Sequence, residues 1–249
     1  MARSVSLRKL VSAQTFPALK ILLVEKKEAN VVLVGALHDL DEVATQVEDA
    51  VVCLRPDQVA LELCDRRFNR LFPLSLGTFA QLPLDERRFF LQRLRSGKDQ
   101  LAAAVAAHRL GIPVAVCDRD YRVTEDRLLA RLEPAILKAG ALGALGLPSW
   151  TDLPVEEALE EAVATCIWDE RDRVMAGRIQ ALHRGLQPLI LAVVGLRHLE
   201  GLAHYLRQDI DPVKLDALCK PVQLSLWRRI MGQPILWRLR GTFGKNMSR

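Results

Sequence analysis

The stretch VVLVGALHDL, residues 31–40, decides the fold predicted for this chain. An apolar run with the length of a strand leads into Gly35, and His38 follows three places later. The same pattern returns at residues 190–201 as ILAVVGLRHLEG, where Gly195 precedes His198. Short apolar runs of this kind are typical of strands that are buried on both faces. We therefore predict two inner strands that each end by presenting an imidazole at the edge of a sheet.

The segments around these strands predict an α/β protein. In ALKILLVEKKEANVVLVGAL, residues 18–37, the polar EKKEAN separates two apolar runs, as in a β-hairpin. Apolar residues then recur at helical spacing as far as Pro56, and DQVALELC, IPVAVCDRD and QPLILAVVGL predict three further strand segments. Alternation of strands and helices is typical of a parallel layer. The predicted fold is α/β, with a mostly parallel central sheet, a β-hairpin entry, flanking helices and a helical insertion.

The chain divides into three predicted regions. Residues 1–17 form a basic extension, residues 18–220 an α/β domain, and residues 221–249 a basic tail with Trp227 and Trp237. Within the domain, residues 122–185 have the pattern of a long helical insertion. The segment PVKLDALCKPVQLSL, residues 212–226, has an ambiguous pattern, and a last strand is one interpretation of it.

The composition argues against several classes of protein, namely nucleic-acid-binding, disulfide-rich and membrane-spanning proteins. Residues 1–24 hold four basic groups and residues 217–249 hold seven, with no acid in either, so the body of the chain is acidic although the net charge is +5. A nucleic-acid partner is not expected from this distribution. Five scattered cysteines without a CxxC pair argue against a disulfide framework and favour a reducing compartment, cytoplasmic or mitochondrial, over secretion. No apolar run reaches the roughly 18–20 residues that span a bilayer.

Each basic end has two interpretations. Residues 1–17 have the composition of a mitochondrial presequence, or of an ordinary basic start. In the tail, Trp227 and Trp237 stand among arginines, a mixture that suits peripheral contact with an anionic membrane. Alternatively, the apolar residues of the tail pack back on the domain. Both pairs of interpretations stay open at this point.

Polar side chains follow four of the predicted strands. They are His38, Glu62, the pair Asp118 and Arg119, and His198. Ligands of open α/β sheets gather at the carboxyl ends of the strands. Two neutral imidazoles and one carboxylate, from His38, His198 and Glu62, are a donor set for a divalent transition metal with positions left for water or substrate. Glu62 would be a third ligand or the general base that takes a proton from water.

Structural interpretations of the same residues compete with this one. A carboxylate in an apolar strand is costly unless it is paired, and Arg67 is a nearby candidate for an ion pair with Glu62. The segment WDERDRVMAGR, residues 168–178, has charges at helical spacing, with Asp169 and Arg173 as an expected surface pair. Its composition favours a solvated helix face.

Five motifs, taken in order, resemble the TraB domain family, also called TraB/PrgY/GumN. They are LVGALH, PDQVALELCDRR, CDRDYRVTEDR, ERDRVMAGRI and VVGLRHLEGL, and the resemblance covers about residues 18–216. Each motif alone is weak, whereas their order and spacing together are fairly specific. The family is related to the Tiki proteins and, more distantly, to the erythromycin esterases. Tiki proteins are regarded as metal-dependent proteases that use manganese or cobalt, two GxxH motifs and a glutamate.

The resemblance implies a metal and a set of site residues. His38, Glu62 and His198 would be the metal ligands, and the divalent metal would be manganese or cobalt, with zinc as a further option. The family motifs also place charged groups in the catalytic site, which here are Glu62, Arg67, Asp118, Arg119, Glu170 and Arg171. These groups would pair with the strand-end carboxylates or bind an anionic part of a peptide or protein substrate.

The sequence also departs from the family pattern. Ala36 and Leu37 replace a common Thr-Ala pair in the first motif, and Leu40 replaces a common serine. Arg197 stands where the second motif often has a small residue. A cation beside a metal ligand disfavours a second positive charge unless its side chain points away.

Three functions therefore compete. The first is a metal-dependent hydrolase of the Tiki type, acting on peptide bonds. The second is a non-catalytic regulatory or organelle membrane-contact protein that keeps the fold, because PrgY-like relatives dampen peptide pheromone activity and plant relatives act at organelle contact sites. The third is metal-free, esterase-type hydrolysis with a histidine as the base.

Overall fold

The computed structural model of the chain describes residues 16–26, 28–38, 40–71, 76–81, 97–144, 153–182 and 187–224. The predicted basic extension and basic tail lie almost entirely outside these residues, and so do Trp227 and Trp237.

A five-stranded sheet forms the centre of the structure. Its strands are β1 (Lys20–Glu25), β2 (Asn30–Ala36), β3 (Gln58–Leu61), β4 (Val114–Val116) and β5 (Leu189–Gly195). They lie side by side in the order β1-β2-β5-β3-β4. The first two strands pair antiparallel as the predicted hairpin, and all other pairs are parallel. The α/β class, the hairpin entry and the mostly parallel sheet are confirmed.

The register of the sheet aligns the two glycine–histidine segments. Gly35 of β2 lies opposite Val194 of β5, and Ala36 lies opposite Gly195. Every residue of β5 is buried, and β2 is buried from Val31 onward. Strands that are covered on both faces carry near-continuous apolar runs. This burial explains why neither segment alternates between apolar and polar residues.

Helices connect and cover the strands. They are α1 (Asp41–Leu54), α2 (Asp65–Leu71), α3 (Leu76–Gln81), α4 (Lys98–Arg109), α5 (Tyr121–Ala144), α6 (Leu153–Val163), α7 (Glu170–Ala181), α8 (Leu199–Leu206) and α9 (Pro212–Cys219). A π-helical segment (Ala164–Asp169) leads into α7, and a 3-10 turn (Leu196–His198) leads into α8. The predicted insertion at 122–185 is helical over α5, α6 and α7.

Two hydrophobic cores hold the helices against the sheet. On one face, α1 and α4 pack against strand residues such as Val32 and Leu191. On the other face, α7 and α8 pack against alternate residues such as Leu33 and Ile190. Because successive residues of a strand point to opposite faces, each inner strand contributes to both cores. This two-sided packing fixes the strand ends from which the candidate site is built.

One predicted element is wrong. The pattern at 212–226 is ambiguous, and its interpretation as a last strand is wrong over Pro212–Cys219, which forms helix α9. Asp211 is the N-cap, and its side chain accepts a hydrogen bond from the backbone N–H of Val213 at 2.9 Å. Pro212 stands in the first turn, where its missing N–H carries no penalty. The local cap therefore outweighs the apolar pattern that suggested a strand.

All five cysteines lie among the described residues. Cys53, Cys64, Cys117, Cys166 and Cys219 are all free thiols, as expected. Among the described residues, no helix is both long and apolar enough to cross a membrane.

Candidate functional site

The polar residues that follow the parallel strands meet at one edge of the sheet. His38 comes two residues after β2, Glu62 directly after β3, and Asp118 two residues after β4. His198 ends the 3-10 turn that follows β5. All four residues are at least nine-tenths buried. The structure thus brings these strand-end side chains together in a buried polar cluster.

Glu62 lies at the centre of this cluster. Its Oε2 atom accepts a hydrogen bond from the backbone N–H of Gly195, and its Oε1 atom accepts one from Arg171, both at 2.6 Å. Nε2 of His198 lies 3.4 Å from Oε1, and Nε2 of His38 lies 3.7 Å from Oε2. Burial raises the pKa of Glu62, but its interactions with His198, Arg171 and His38 outweigh burial and lower the pKa well below its usual range. The carboxylate is thus held ionised.

The ion-pair partner of Glu62 differs from the one that the sequence suggests. The sequence suggests Arg67 as its partner, whereas the side chain of Arg67 contacts the backbone oxygen of Glu62 at 3.2 Å and the carboxylate of Asp118 at 3.5 Å. The partner of the Glu62 carboxylate is Arg171. Arg67 and Glu62 are only five residues apart, but the side chain of Glu62 turns into the site while that of Arg67 remains about one-third exposed.

Each histidine of the site is held by a buried carboxylate. Nδ1 of His38 lies 2.9 Å from Oδ2 of Asp99, and Nδ1 of His198 lies 2.5 Å from Oδ1 of Asp172. A proton on each Nδ1 satisfies these contacts and turns each Nε2 atom toward Glu62. Metal-binding histidines in proteins have such carboxylate partners on their second ring nitrogen. Sequence reasoning named neither aspartate as a metal ligand or a catalytic residue.

The two aspartates give different signals in the sequence. Asp172 follows Glu170 and Arg171 in the motif ERDRVMAGRI, whose first three residues (the ERD motif) the resemblance implies as charged groups of the site. Asp99 lies in the first turn of α4, where acidic residues ordinarily favour the helix dipole. Nothing in its neighbourhood of the sequence distinguishes it from such a residue. The structure shows that it is fully buried and that it faces a histidine 61 positions away.

Nε2 of His38 is a buried atom without a hydrogen-bond partner among the described residues. Its distance of 3.7 Å from Glu62 is too long for a hydrogen bond. Burial lowers the pKa of His38, but the charge and hydrogen bond of Asp99, together with Glu62, raise it to about 10. A buried polar atom without a hydrogen-bond partner calls for an explanation, and a bound ion is one such explanation.

A guanidinium lies in the same cluster. Arg171 of α7 donates to Asp118 at 2.8 Å and to Glu62, and its Nη1 atom lies 3.1 Å from Nε2 of His198. Burial lowers the pKa of Arg171, but Asp118 and Glu62 raise it above its ordinary value. The composition of WDERDRVMAGR favours a solvated helix face, and this interpretation is wrong because Glu170 and Asp172 are both buried.

Arg119 and Glu170, the other two charged groups predicted for the catalytic site, form a separate cluster. Arg119 is fully buried, and it donates to Glu170 at 2.8 Å and to the backbone oxygens of Cys166 and Leu218. Arg127 donates to the same carboxylate at 2.7 Å. These bonds join the π-helical segment to α9. Their pattern is that of a structural clamp, whereas Arg67, Asp118 and Arg171 contact the Glu62 site.

Arg197, the cation beside the second histidine, points away from that histidine's ligand atoms. It is exposed, and its guanidinium lies over the ring of Trp168 at 5.7 Å from the ring centroid. The ring of Trp168 lies in turn 4.9 Å from the ring of His198. The cation–π contact therefore directs Arg197 to the rim of the site. The predicted Asp169–Arg173 pair is confirmed at 3.2 Å.

The residues fit a divalent metal in kind, and two distances between their ligand atoms are close to those of a metal site. Metal–ligand bonds of about 2.1 Å place neighbouring ligand atoms roughly 3–3.5 Å apart. The Glu62 oxygens lie at similar distances from the histidine nitrogens, 3.4 Å from Nε2 of His198 and 3.7 Å from Nε2 of His38. As they stand, no three His, Cys, Asp or Glu side chains among the described residues are arranged to hold an ion. Arg171 also contacts Nε2 of His198 at 3.1 Å, and this nitrogen is not free for a metal while the contact persists.

Comparison with known proteins finds a distant relative. The chain is 25% identical over 233 residues to an uncharacterized protein of Methanocaldococcus jannaschii, and the match covers 76% of this chain and 57% of that protein. The chain thus spans little more than half of the relative's length. No model of a protein family matches the chain.

Proposed function

We propose that this protein is a metal-dependent hydrolase of the Tiki type that acts on peptide bonds. The observation that carries the proposal is the pair of buried carboxylate–histidine contacts, because both set their Nε2 atoms toward one ionised carboxylate. The unpartnered Nε2 atom of His38 supports it further. The resemblance to the TraB domain family suggests the same three ligands.

In this proposal His38, Glu62 and His198 hold the cation. Manganese or cobalt follows from the resemblance, and zinc from the nitrogen and oxygen donor set. When bound, the cation would supply Lewis acidity, which activates water and polarises a carbonyl oxygen. The lowered pKa of Glu62 suits a ligand, which must be ionised, better than a general base, whose pKa should lie near the working pH.

The surrounding residues orient the ligands and the substrate. Asp99 and Asp172 fix the ring orientation of the two histidines and keep their Nδ1 atoms protonated. Arg67 has a side chain that is about one-third exposed beside Asp118. It is therefore placed to bind a carboxylate of a peptide or protein substrate.

The test is the metal content of the untagged protein after reloading with manganese, cobalt or zinc. One tightly held ion per chain is expected, and the His38→Ala/His198→Ala variant should lose it while keeping its circular dichroism spectrum. His108→Ala is the matched control, because His108 is exposed near the end of α4. A screen of a peptide library with the loaded protein then tests hydrolysis. Binding of none of the three metals above the level of the double variant would contradict the proposal.

The contact of Arg171 with Glu62 and His198 favours the competing proposal of a non-catalytic regulatory or membrane-contact protein, because a guanidinium already satisfies both groups. In that case the loaded protein cleaves no peptide in the library. Partition onto anionic vesicles, abolished by deletion of residues 221–249, would support a membrane role. Cleavage that depends on His38 and His198 would exclude the non-catalytic proposal.

A further inference from the structure

The guanidinium of Arg171 uses the groups that the proposed metal would need. Nη2 donates to Oε1 of Glu62 at 2.6 Å, and Nη1 lies 3.1 Å from Nε2 of His198. Because Nδ1 of His198 faces Asp172, Nε2 carries the lone pair and accepts from Arg171. One lone pair binds either a guanidinium N–H or a metal ion. Arg171 and the metal therefore exclude each other at His198.

The same guanidinium has a second set of contacts that does not involve the ligands. Its Nε atom donates to Oδ1 of Asp118 at 3.1 Å, Nη2 donates to Oδ2 at 2.8 Å, and Nη1 donates to the backbone oxygen of Ile167 at 3.4 Å. Bidentate pairing of this kind holds an arginine firmly. Asp118 already holds Arg171 while it covers Glu62, so the guanidinium can leave Glu62 and His198 without its charge becoming buried and unpaired.

The other half of the site is open to a cation while Arg171 is in place. Nε2 of His38 is buried and has no hydrogen-bond partner among the described residues. It lies 3.7 Å from Oε2 of Glu62, the oxygen that Arg171 does not contact. A cation entering beside His38 would meet the Glu62 carboxylate first. It would then repel the guanidinium toward Asp118.

We propose that Arg171 is a built-in competitor of the metal, which covers Glu62 and His198 when the site is empty and withdraws onto Asp118 when a divalent cation binds. The inference rests on the proposed function, because it concerns the control of that same metal site. Arg171 would then control whether Glu62 and His198 are free to bind the metal, without being a ligand itself. Metal affinity is then set by the balance between two carboxylates, Glu62 and Asp118, for one arginine.

Two substitutions should shift the affinity in opposite directions. Arg171→Gln removes the competing charge, so it should tighten binding of manganese or cobalt by about tenfold or more. Asp118→Asn weakens the alternative position of Arg171, so it should loosen binding by about tenfold. The matched controls are Arg173→Gln, two positions along α7 and bound to Asp169, and Asp120→Asn, which is bound to Arg66. Both controls should bind as the wild type does.

The measurements are calorimetric titration with each metal and the rise in Tm that the metal produces. Arg171→Gln should have the lowest Tm without metal, because Glu62 and Asp118 lose their common partner, and the largest rise with metal. Affinity of folded Arg171→Gln equal to or weaker than that of Arg173→Gln would overturn the inference. If Arg171→Gln fails to fold, the comparison of Asp118→Asn with Asp120→Asn decides, and equal affinities overturn it.

The outcomes separate this inference from the proposed function. Equal metal binding by the wild type and every variant would overturn the competition and leave the metal hydrolase standing. Binding by Arg171→Gln alone would support the competition and contradict a metal site in the wild type. Binding by no variant would overturn both.

Discussion

Substitution by alanine should change the free energy of unfolding differently at the two glycines of the repeated motif. Gly35 and Gly195 each precede a histidine by three residues, so the sequence treats them alike. A Cβ atom on Gly195 would lie 2.8 Å from Nε2 of His38 and 3.2 Å from Oε2 of Glu62. The site is therefore built around a missing side chain at residue 195.

The change in the free energy of unfolding of Gly195→Ala follows from two opposing effects. The backbone of Gly195, with φ −60° and ψ 140°, accepts alanine, and the less flexible unfolded chain alone would stabilise the variant by about 0.4–1 kcal/mol. Against this, carbon contacts normally begin at about 3.5 Å, so the contact with His38 is too close, and overpacking costs about 1–3 kcal/mol. His38 has little freedom to yield because it is bound to Asp99. We expect Gly195→Ala to lower the free energy of unfolding by about 1–2 kcal/mol.

Gly35→Ala is the matched comparison. Its Cβ would lie 3.2 Å from terminal methyl groups of Leu196 and Leu199, and such groups yield by a few tenths of an ångström. Leu196 is partly exposed, so at least one of the two has room to move. The small overpacking cost is offset by the unfolded-state effect, and the variant should remain within about 0.5 kcal/mol of the wild type.

The assay is urea unfolding of the metal-free proteins, followed by circular dichroism, with metal titration of the same samples. Equal slopes against urea would show that the midpoints report stability. Gly195→Ala should also abolish metal binding because its Cβ lies against two proposed ligands, whereas Gly35→Ala should retain it. The reasoning is refuted if the two variants lose the same stability, or if Gly195→Ala binds metal as tightly as Gly35→Ala.

Three further predictions concern residues around the site and in α9. Asp99→Asn should weaken metal binding by about 10–100-fold in calorimetry, because Nδ1 of His38 loses its charged acceptor. Burial raises the pKa of Glu170, but the hydrogen bonds and charges of Arg127 and Arg119 lower it below the ordinary value of 4.5. The stability that this carboxylate contributes is therefore present above pH 4.5 and is lost as the pH falls through the folded pKa, so urea unfolding should show a difference between the wild type and Glu170→Gln at pH 7 that shrinks in acid. Asp211→Ala should cost about 1 kcal/mol of unfolding free energy, because α9 loses its N-cap.

Each of these predictions has a control and a contrary result. Asp49→Asn, an exposed change on α1, should leave metal binding unchanged, and equal losses in both aspartate variants would contradict the role of Asp99. A difference between Glu170→Gln and the wild type that stays constant from pH 7 into acid would contradict the ionised clamp. Asp209→Ala changes a neighbouring exposed aspartate, and an equal cost there would show that charge, not capping, stabilises α9.

The sheet and its polar edge were predictable because their signals are local. VVLVGALH and ILAVVGLRH show their burial as unbroken apolar runs, and EKKEAN shows the turn of the hairpin. The strand order was not predicted, but the carboxyl ends of parallel strands meet at one edge of a sheet whatever their order. The convergence of His38, Glu62 and His198 is a consequence of this topology. The helix α9 was missed because its start depends on one cap, while its apolar residues fit either structure.

By itself the sequence determined the α/β class, the hairpin and the strand ends that carry the candidate ligands, since each depends on residues that are neighbours in the chain. Only the tertiary structure decided which charges meet. Asp99 reaches His38 across 61 residues, and Arg171 reaches Glu62 across 109. An aspartate in a first helical turn and an arginine on a charged helix look solvated until packing buries them. Burial is what turns these charges into partners, because a charge removed from water must find an opposite one.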